Sequence, residues 1–597
     1  MRDRRLARAA PAVAALVAGL LALGPALRPG YVLRYDMVFV PDPPLTLAAG
    51  GFPRAVPSDL LVALLAHLVP AAALQKIVLV GLFVLAGSGA AALVPGRRTL
   101  PKVAAAVFYA WNVYLAQRLL LGQWALLLGV AGLPWAVRAA ARGGPPWRVA
   151  VALLPAAAGG FQAMLVSALA VLPVAATRPA PRPARLRGTL GALAVIALLS
   201  LPWAVPALRA DAVTDPAGVA AFAPRADGPF GALGGLLGLG GIWNAQAEVP
   251  GQAAWWLAAG RLAVAAAAVA AFAGLPGLSG FRSTRPEPGA PVPGGGGTGF
   301  RNPDGPAGPP PGPPDLPSAP GTPDPPYFRG VPGPAAPPGT PVALPGRSGP
   351  APGAWPDCRA GLLVAAAGGL AVALAGAYAP GLVGALIAGW PGFGPLRDGQ
   401  LYIAPLAVVQ AVGFGLLAGR VTRPRPGGGR AAVAVPAVVA VLVPVLLLPG
   451  FAWGAAGRLA AVRYPAEWRQ AQRIVNGDPR PGALLSLPWG AHRAFGWNGG
   501  RVILDPATKA FARRVLWNDS LTVADRDGRV IRVGGEDREA RRLGAVLAAG
   551  TGPLTPALRA AGVRYVLVAG PDRNTFSSRL PGATAVLAGG EVLLLRL

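Results

Sequence analysis

Ten long apolar stretches divide the chain and constrain its fold more than any other feature. They lie near residues 10–27, 77–94, 103–117, 119–137, 149–176, 189–208, 254–273, 360–378, 401–418 and 432–449. A segment that crosses lipid must satisfy its backbone hydrogen bonds internally, so each stretch is predicted to be helical. Only 13% of the residues are charged, against roughly 25% in soluble domains. The chain is therefore predicted to be an integral membrane protein.

Arginine-rich loops between these stretches set the predicted orientation. Four short loops carry many of the basic residues: Arg97, Arg98 and Lys102; Arg138, Arg142 and Arg148; Arg178, Arg182, Arg185 and Arg187; and Arg420, Arg423, Arg425 and Arg430. Basic residues are enriched in cytoplasmic loops, so these loops and the N-terminus are predicted to be cytoplasmic. The stretch 149–176 then begins and ends on one side, so it must turn back, with Gly159-Gly160 as the predicted break. The count becomes about eleven transmembrane helices, which places the C-terminus outside the plasma membrane.

Composition divides the chain into four regions. Residues 1–275 are predicted to be transmembrane helices with outer loops at 28–58 and 209–253. Residues 276–358 are so rich in Pro and Gly that they predict a disordered cytoplasmic linker. Residues 359–449 add transmembrane helices, and residues 450–597 show the patterns of a small extracytoplasmic α/β domain. The predicted fold class is mainly α, a polytopic helical membrane domain followed by that small domain.

The positive charge of the chain does not indicate nucleic-acid binding. The net charge is +29, but the basic residues are nearly all Arg and lie between apolar runs instead of in one patch. One cysteine and two histidines exclude a disulfide within the chain and a Cys/His metal cluster. No cofactor is predicted, and a divalent cation held by carboxylates stays open.

The first outer loop, 28–58, contains the strongest candidates for chemistry. It places Arg34, Asp36 and Asp42 among aromatic and apolar residues directly after the first helix. A carboxylate shielded at the membrane surface can accept a proton from a hydroxyl nucleophile, and an arginine there could contact a phosphate. The alternative is an ordinary acidic residue that caps a loop.

Charged and aromatic side chains recur in the other outer loops. The candidates are Arg225 and Asp227 before the Gly/Leu-rich residues 231–241, Arg397 and Asp398 before the 401–418 stretch, and Arg118, Gln123 and Trp124 at a helical hairpin. Ionised groups near a membrane are costly unless they meet a partner or a ligand. Substrate binding is one reading of these residues. The alternatives are salt bridges that hold the loops together and aromatic anchors at the membrane interface.

The C-terminal domain has candidates of its own. Trp489, His492 and Trp497 lie near amides and acids in the sequence. Sugar sites combine aromatic rings with polar groups, so these residues are candidates for substrate binding. The alternative is that they are core residues of a small domain.

Taken together, these features resemble the GT-C superfamily of polyprenyl-phosphate-sugar-dependent glycosyltransferases. The Trp111–Trp124 and Pro391–Asp398 segments are similar to actinobacterial members of the arabinofuranosyltransferase branch. The resemblance implies a polyprenyl-phosphate-linked sugar as donor, a cell-envelope glycan or lipid as acceptor, and inversion at the sugar carbon. It also implies that Asp36 is the general base, with Asp42 as second choice. The basic residues implied to hold the donor phosphate are Arg34, Arg118, Arg225 and Arg397.

Two other functions fit a chain of this composition. One is a non-catalytic envelope-assembly protein whose C-terminal domain binds a glycan or a partner. The other is a transporter or flippase for lipid-linked sugars, although transporters place ionisable groups near the bilayer midplane. The helix interiors here are almost free of Asp, Glu, Lys and His, which argues against ion coupling.

Overall fold

The structure is a computed structural model that describes residues 2–46, 52–210, 214–274, 357–423, 430–524, 529–550, 552–570 and 573–597. The predicted linker, 276–358, lies outside the described residues apart from its last two positions.

Helices dominate the part of the chain before residue 450. They are α1 (Arg2–Leu23), α2 (Ser58–Ala66), α3 (Ala71–Leu93), α4 (Thr99–Ala110), α5 (Val113–Leu120), α6 (Trp124–Arg142), α7 (Trp147–Gly159), α8 (Phe161–Thr177), α9 (Arg182–Arg209), α10 (Gly218–Ala221), α11 (Gly231–Leu237), α12 (Trp255–Ala273), α13 (Arg359–Tyr378), α14 (Pro380–Gly389), α15 (Ala404–Val421) and α16 (Arg430–Leu446). Several leave large apolar side chains exposed, such as Leu190, Leu198 and Leu208 on α9. Such surfaces suit contact with lipid.

Seven of the described helices, α1, α3, α6, α9, α12, α13 and α15, are long and apolar enough to cross a membrane. An eighth span arises if the bent pair Ala434–Leu446 and Pro449–Gly457 counts as one. The protein is thus a multi-pass membrane protein, but the predicted count of about eleven crossings is not confirmed. The count differs because several of the helices are shorter than a membrane-spanning helix. The stretch 103–117 is interrupted after Ala110, so α4 has only 12 residues, while α7 and α8 have 13 and 17.

The predicted break at Gly159-Gly160 is present. Helix α7 ends at Gly159 and α8 begins at Phe161. Between them Gly160 has a φ of +79°, and a Cβ at this position would lie 2.5 Å from Val56 O. Glycine meets both requirements because it has no side chain and tolerates a positive φ.

The short helix α5 brings polar side chains into the helical bundle. Asn112 caps it by accepting a hydrogen bond from the Leu115 N–H at 3.0 Å, a favourable start for a helix. All eight residues of α5 are buried, including Gln117 and Arg118. The Tyr114 hydroxyl donates to Leu401 O at 2.8 Å and so ties α5 to the segment before α15.

The C-terminal domain combines short helices with a mixed sheet. Its helices are α17 (Ala452–Gly457), α18 (Ala466–Gly477), α19 (Ala507–Ala510), α20 (Arg538–Ala548), α21 (Thr555–Ala560) and α22 (Arg573–Ser578). The strands of the chain are β1 (Tyr31–Val32), β2 (Ala461–Val462), β3 (Ala483–Leu487), β4 (His492–Ala494), β5 (Val502–Leu504), β6 (Val515–Leu516), β7 (Leu521–Ala524), β8 (Val530–Val533), β9 (Val563–Ala569), β10 (Thr584–Ala588) and β11 (Val592–Arg596).

The central sheet of this domain has five strands in the order β10-β11-β9-β3-β6. Strand β3 runs parallel to β6 and β9, whereas β11 runs antiparallel to β9 and β10. Residues 450–597 thus combine helices with a sheet, as the sequence predicts for this region. Helix α18 covers the sheet with Trp468, Ala471 and Val475, because these apolar residues recur on one helical face.

The first loop is joined to the C-terminal domain by backbone pairing. Strand β1 pairs antiparallel with β2, with Tyr31 opposite Val462. Further along the loop, Tyr35 forms a parallel bridge with Ile503 of β5. Leu33 and Val38 are buried in the same apolar cluster as Trp468. The first loop is therefore part of the core of the C-terminal domain.

Helix α17 is left-handed. Trp453, Gly454, Ala455 and Ala456 have φ values of +56°, +69°, +50° and +55°. For residues with a Cβ this conformation costs roughly 1–2 kcal/mol each. The buried Gly454 and Ala455 hold the turn against α1 and the residues that follow it, and a Cβ added to Gly454 would lie only 3.0 Å from Pro25 Cγ.

Candidate active site

A tight turn in the first loop carries Asp36. The Arg34 N–H donates to Met37 O at 3.2 Å, and the Met37 N–H donates back to Arg34 O at 2.9 Å. The turn rests on Gly122, whose φ is +81° and where a Cβ would lie 2.3 Å from Arg34 O. Only glycine fits beneath the turn. The Asp36 side chain at its tip is 48% exposed.

A hairpin of the C-terminal domain brings His492 to this turn. The Tyr35 N–H donates to Val502 O at 2.8 Å, and the Leu504 N–H donates to Tyr35 O at 2.9 Å. His492 is paired with Leu504 across the hairpin β4–β5, so the backbone register fixes its position. Its Nε2 lies 3.4 Å from Asp36 Oδ1. Two candidates that the sequence places in separate regions therefore share one site.

A buried ion pair anchors the hairpin behind His492. Arg493 and Asp505 are in direct contact and almost inaccessible to solvent. The Arg493 guanidinium also donates to Leu487 O at 2.6 Å and to Ser486 Oγ at 3.1 Å. Because Arg493 directly follows His492, this anchor restricts the histidine.

A second buried ion pair connects α5 with the loop before α15. Arg118 is fully buried and binds Asp398 with two hydrogen bonds, of 2.7 and 2.9 Å. It donates a third to Gln123 Oε1 at 2.7 Å. Asp36 is a further negative charge close enough to act on Arg118. The bidentate geometry is a strong one for arginine and carboxylate, and it leaves little of the guanidinium for a ligand.

Asp227 organises a buried amide network next to this pair. Its Oδ2 accepts from Gln117 Nε2 at 2.7 Å, from Gln252 Nε2 at 3.0 Å and from the Gly241 N–H at 2.6 Å. Gln400 Nε2 joins the network through Gln117 Oε1 at 3.4 Å. A small, partly open pocket is lined in part by Asp227. Gln117 and Gln400 lie close to Arg118 and Asp398 in the chain, so the two polar clusters form one layer.

The Arg34 guanidinium donates hydrogen bonds to backbone carbonyl groups. It donates to Leu120 O at 3.1 Å and to Gln246 O at 2.7 Å. Burial lowers the pKa of Arg34, and the nearby charges of Arg458 and Arg501 lower it further. Three arginines thus gather near the Asp36 turn, although Arg34 itself fastens the loop.

Arg397 and Arg225 differ from Arg34 and Arg118 in their contacts with other protein groups. Arg397 packs its guanidinium over the Phe222 ring at 5.1 Å, and its Nη2 lies 3.6 Å from Glu536 Oε1. Arg54 contacts the same carboxylate. Within the described part of the chain, the half-buried Arg225 side chain has no hydrogen-bond or ion-pair partner.

The three tryptophans that the sequence suggests as substrate contacts pack against apolar residues. Trp124 is 5% exposed and packs on Phe39 with ring centres 5.0 Å apart. Trp489 packs against α20, and Trp497 stacks on Phe495 with ring centres 5.3 Å apart. All three rings therefore make apolar contacts within the protein, and their role in substrate binding stays a prediction.

Asp42 lies apart from the Asp36 turn. Its side chain is exposed and its φ is +45°. Gln472 Nε2 donates to Asp42 O at 2.9 Å and to Pro41 O at 2.7 Å. The backbone of Asp42, not its carboxylate, is what the fold engages here.

Several polar residues of the site are absent from the sequence-based candidates. They are Arg54, Gln117, Gln246, Gln252, Gln400 and Glu536. An amide inside an apolar stretch, as at Gln117, is a signal that could have been used, since such a group needs a buried partner. Nothing in the sequence marks Glu536.

Among the described residues, no group of three or more His, Cys, Asp or Glu side chains is arranged to hold a metal ion.

Comparison with known proteins gives a match in structure alone. No protein-family model and no curated protein matches the sequence. The fold matches the cryo-EM structure of the arabinofuranosyltransferase AftD from mycobacteria, with a TM-score of 0.51 at 16% identity. A mutant form of AftD gives 0.51 at 17% identity. Both matches cover 98% of this chain but only 39% and 41% of the AftD chain, so this chain spans about two fifths of that length. The chain therefore has an AftD-like fold, and its resemblance to arabinofuranosyltransferases is confirmed for the fold alone.

Proposed function

We propose that the protein is a membrane glycosyltransferase of the GT-C type that moves a sugar from a polyprenyl-phosphate donor to a cell-envelope glycan or lipid. The observation that carries the proposal is the half-exposed Asp36 carboxylate, with His492 Nε2 at 3.4 Å and several arginines nearby. The fold shared with AftD supports this type of reaction.

The proposal includes a membrane topology. About eleven segments cross the plasma membrane, with the short helices α7 and α8 counted separately. The N-terminus is cytoplasmic, and the C-terminal domain lies outside with Asp36. Lipid-linked donors suit that side, since their sugar is carried across with the lipid.

Asp36 acts as the general base. It takes the proton of an acceptor hydroxyl while that oxygen attacks the anomeric carbon of the donor sugar. The bond from the anomeric carbon to the phosphate oxygen breaks, and polyprenyl phosphate leaves with the electron pair. His492 holds Asp36 Oδ1, which leaves Oδ2 for the acceptor.

The four candidate arginines differ in how far their N–H donors are already bonded to protein groups. Arg34 and Arg118 spend their donors on protein groups and act as supports for the loops. Arg225 and Arg397 retain free donors, and we propose that they stabilise the charge on the leaving phosphate. Asp227, Asp398 and Gln123 stabilise the buried polar layer that contains Arg118 and Gln117.

The test is release of polyprenyl phosphate from a panel of lipid-linked sugars by the full chain in nanodiscs, with envelope extract as acceptor. Asp36→Asn should lower turnover by about 10²-fold or more, as loss of a general base does. Asp42→Asn, in the same loop, is the matched comparison and should keep most of the activity. Turnover that survives in Asp36→Asn but not in Asp42→Asn would move the base to Asp42. Failure of the wild type with every donor, where a control enzyme works, would contradict the proposal.

A further inference from the structure

Three groups from two separate segments of the chain converge on one carboxylate, that of Glu536. Arg54 contacts Oε1, and Arg397 Nη2 lies 3.6 Å from the same oxygen. The Phe52 N–H points at Oε2 at 3.4 Å. Two cations and one backbone donor thus face a single negative charge, which leaves the cluster with a surplus positive charge.

The donors around Glu536 have the composition of a phosphate site. Guanidinium groups bind phosphate through several N–H groups at once, and backbone N–H groups add to them. A phosphate has more acceptor oxygens than a carboxylate and carries up to two negative charges. Burial and the neighbouring charge of Arg54 lower the pKa of Arg397, while Glu536 and Asp398 raise it.

We propose that Arg54, Arg397 and the Phe52 N–H form a binding site for a phosphate group, and that Glu536 is its internal occupant until a ligand displaces it. The inference rests on the proposed function, since the phosphate it names is that of the lipid carrier. Arg397 directly precedes Asp398, the partner of Arg118, so the site adjoins the Asp36 region.

The Glu536 side chain can leave while its backbone stays in place. The Glu536 N–H and the Asp537 N–H donate to Asp519 Oδ2 at 2.6 and 2.8 Å. These bonds hold the loop without using the Glu536 carboxylate. The Arg54 side chain is 55% exposed, so a ligand can approach the carboxylate from that side.

The arrangement has a consequence for turnover. Cleavage converts a phosphodiester with one negative charge into a phosphate monoester with up to two, so the product binds two arginines more tightly than the donor does. A carboxylate that competes for the same arginines weakens product binding most. Glu536 therefore promotes release of the lipid phosphate.

The experiment measures equilibrium binding of farnesyl phosphate and of inorganic phosphate to the full chain in nanodiscs, without turnover. Glu536→Gln should tighten binding by about tenfold, because a neutral amide competes poorly with phosphate. Glu539→Gln is the matched control: it removes the same charge three residues away, where the side chain pairs with Arg514 at 2.5 Å. Its affinity should stay at the wild-type value. Arg397→Gln should weaken binding by about tenfold or more.

Comparison of the two ligands shows whether the site recognises the phosphate group alone or a lipid-linked phosphate. Tightening for both supports a site that recognises the phosphate group alone, whereas tightening for farnesyl phosphate only supports a site for a lipid-linked phosphate. Unchanged or weaker binding of both ligands to Glu536→Gln overturns the inference, as does equal tightening in Glu539→Gln. If Glu536→Gln unfolds, Glu536→Asp shortens the side chain and should tighten binding in the same direction. Because no turnover is needed, an inactive protein with this binding pattern refutes only the transferase.

Discussion

Removal of the Asp398 carboxylate should destabilise the membrane domain more than removal of the whole Arg118–Asp398 pair. In Asp398→Ala, Arg118 remains fully buried and loses two of its three hydrogen bonds. Only Gln123 Oε1 remains, a neutral acceptor. The variant therefore contains a buried cation without a hydrogen-bonded counter-charge.

The size of the effect follows from the geometry. Nitrogen–oxygen distances of 2.7 and 2.9 Å put the charge centres about 4 Å apart, where attraction is about 4 kcal/mol at an effective dielectric constant near 20. Measured losses for breaking one half of a buried pair are about 3–5 kcal/mol. The double variant Arg118→Met/Asp398→Leu leaves no charge behind, and such replacements are often close to neutral.

The assay is the rate of thermal inactivation in nanodiscs, since membrane proteins often unfold irreversibly and a rate is then the appropriate measure. If most of a loss of about 3 kcal/mol appears in the unfolding barrier, Asp398→Ala inactivates roughly 10²-fold faster than the wild type. The double variant should lie much closer to the wild type. Inactivation of Asp398→Ala at the wild-type rate, or a double variant as unstable as the sum of the two single ones, would refute the reasoning.

Three further predictions concern the backbone and the C-terminal domain. Gly122→Ala should abolish activity because its Cβ would lie 2.3 Å from Arg34 O, whereas Gly96→Ala, with a similar φ of +86° but nothing within 4 Å, should cost only about 1 kcal/mol; equal loss of activity in both would count against the turn. Ala456→Gly should raise the melting temperature because it relieves up to about 1 kcal/mol of strain in the left-handed turn, while the exposed helical Ala545→Gly should lower it. Hydrogen bonds from the Tyr565 hydroxyl and Arg564 hold the pKa of Asp478 below its ordinary value. That stabilisation is fully present above about pH 4 and is lost as the pH falls through the lowered pKa. The thermal stability of Asp478→Asn should therefore change less than that of the wild type in acid, and parallel curves would exclude the role.

The sequence predicted those parts of the fold that depend on local pattern. Apolar stretches gave helices near the predicted positions, and short apolar runs in residues 450–597 correspond to β3, β9 and the β10–β11 hairpin. The predicted number of crossings is not confirmed. Asn112 starts a new helix inside an apolar region by capping it, and hydropathy does not register a side-chain cap.

For the candidate site, too, the sequence indicates single residues but not the contacts between them. Asp36, Arg118 and Asp398 stand out because charge is rare in this chain, and charge is visible in a sequence. Their partners are not visible, since Asp36 meets His492 only through backbone pairing between distant segments. The neighbours Arg397 and Asp398 look like a pair, but each binds a residue elsewhere. A one-residue step along an irregular backbone is enough to turn adjacent side chains in different directions.

The pairing of the first loop with the C-terminal hairpin also fixes when the site can exist during biosynthesis. Asp36 and His492 are 456 residues apart in the chain. At typical rates of protein synthesis, Asp36 emerges roughly 20 to 90 s before His492. For most of that interval the growing chain can insert its first helices into the membrane while β1 has no partner strand, and throughout it Asp36 lacks His492. Ribosomes that stall before His492 is made therefore leave membrane-inserted fragments in which this site is never assembled.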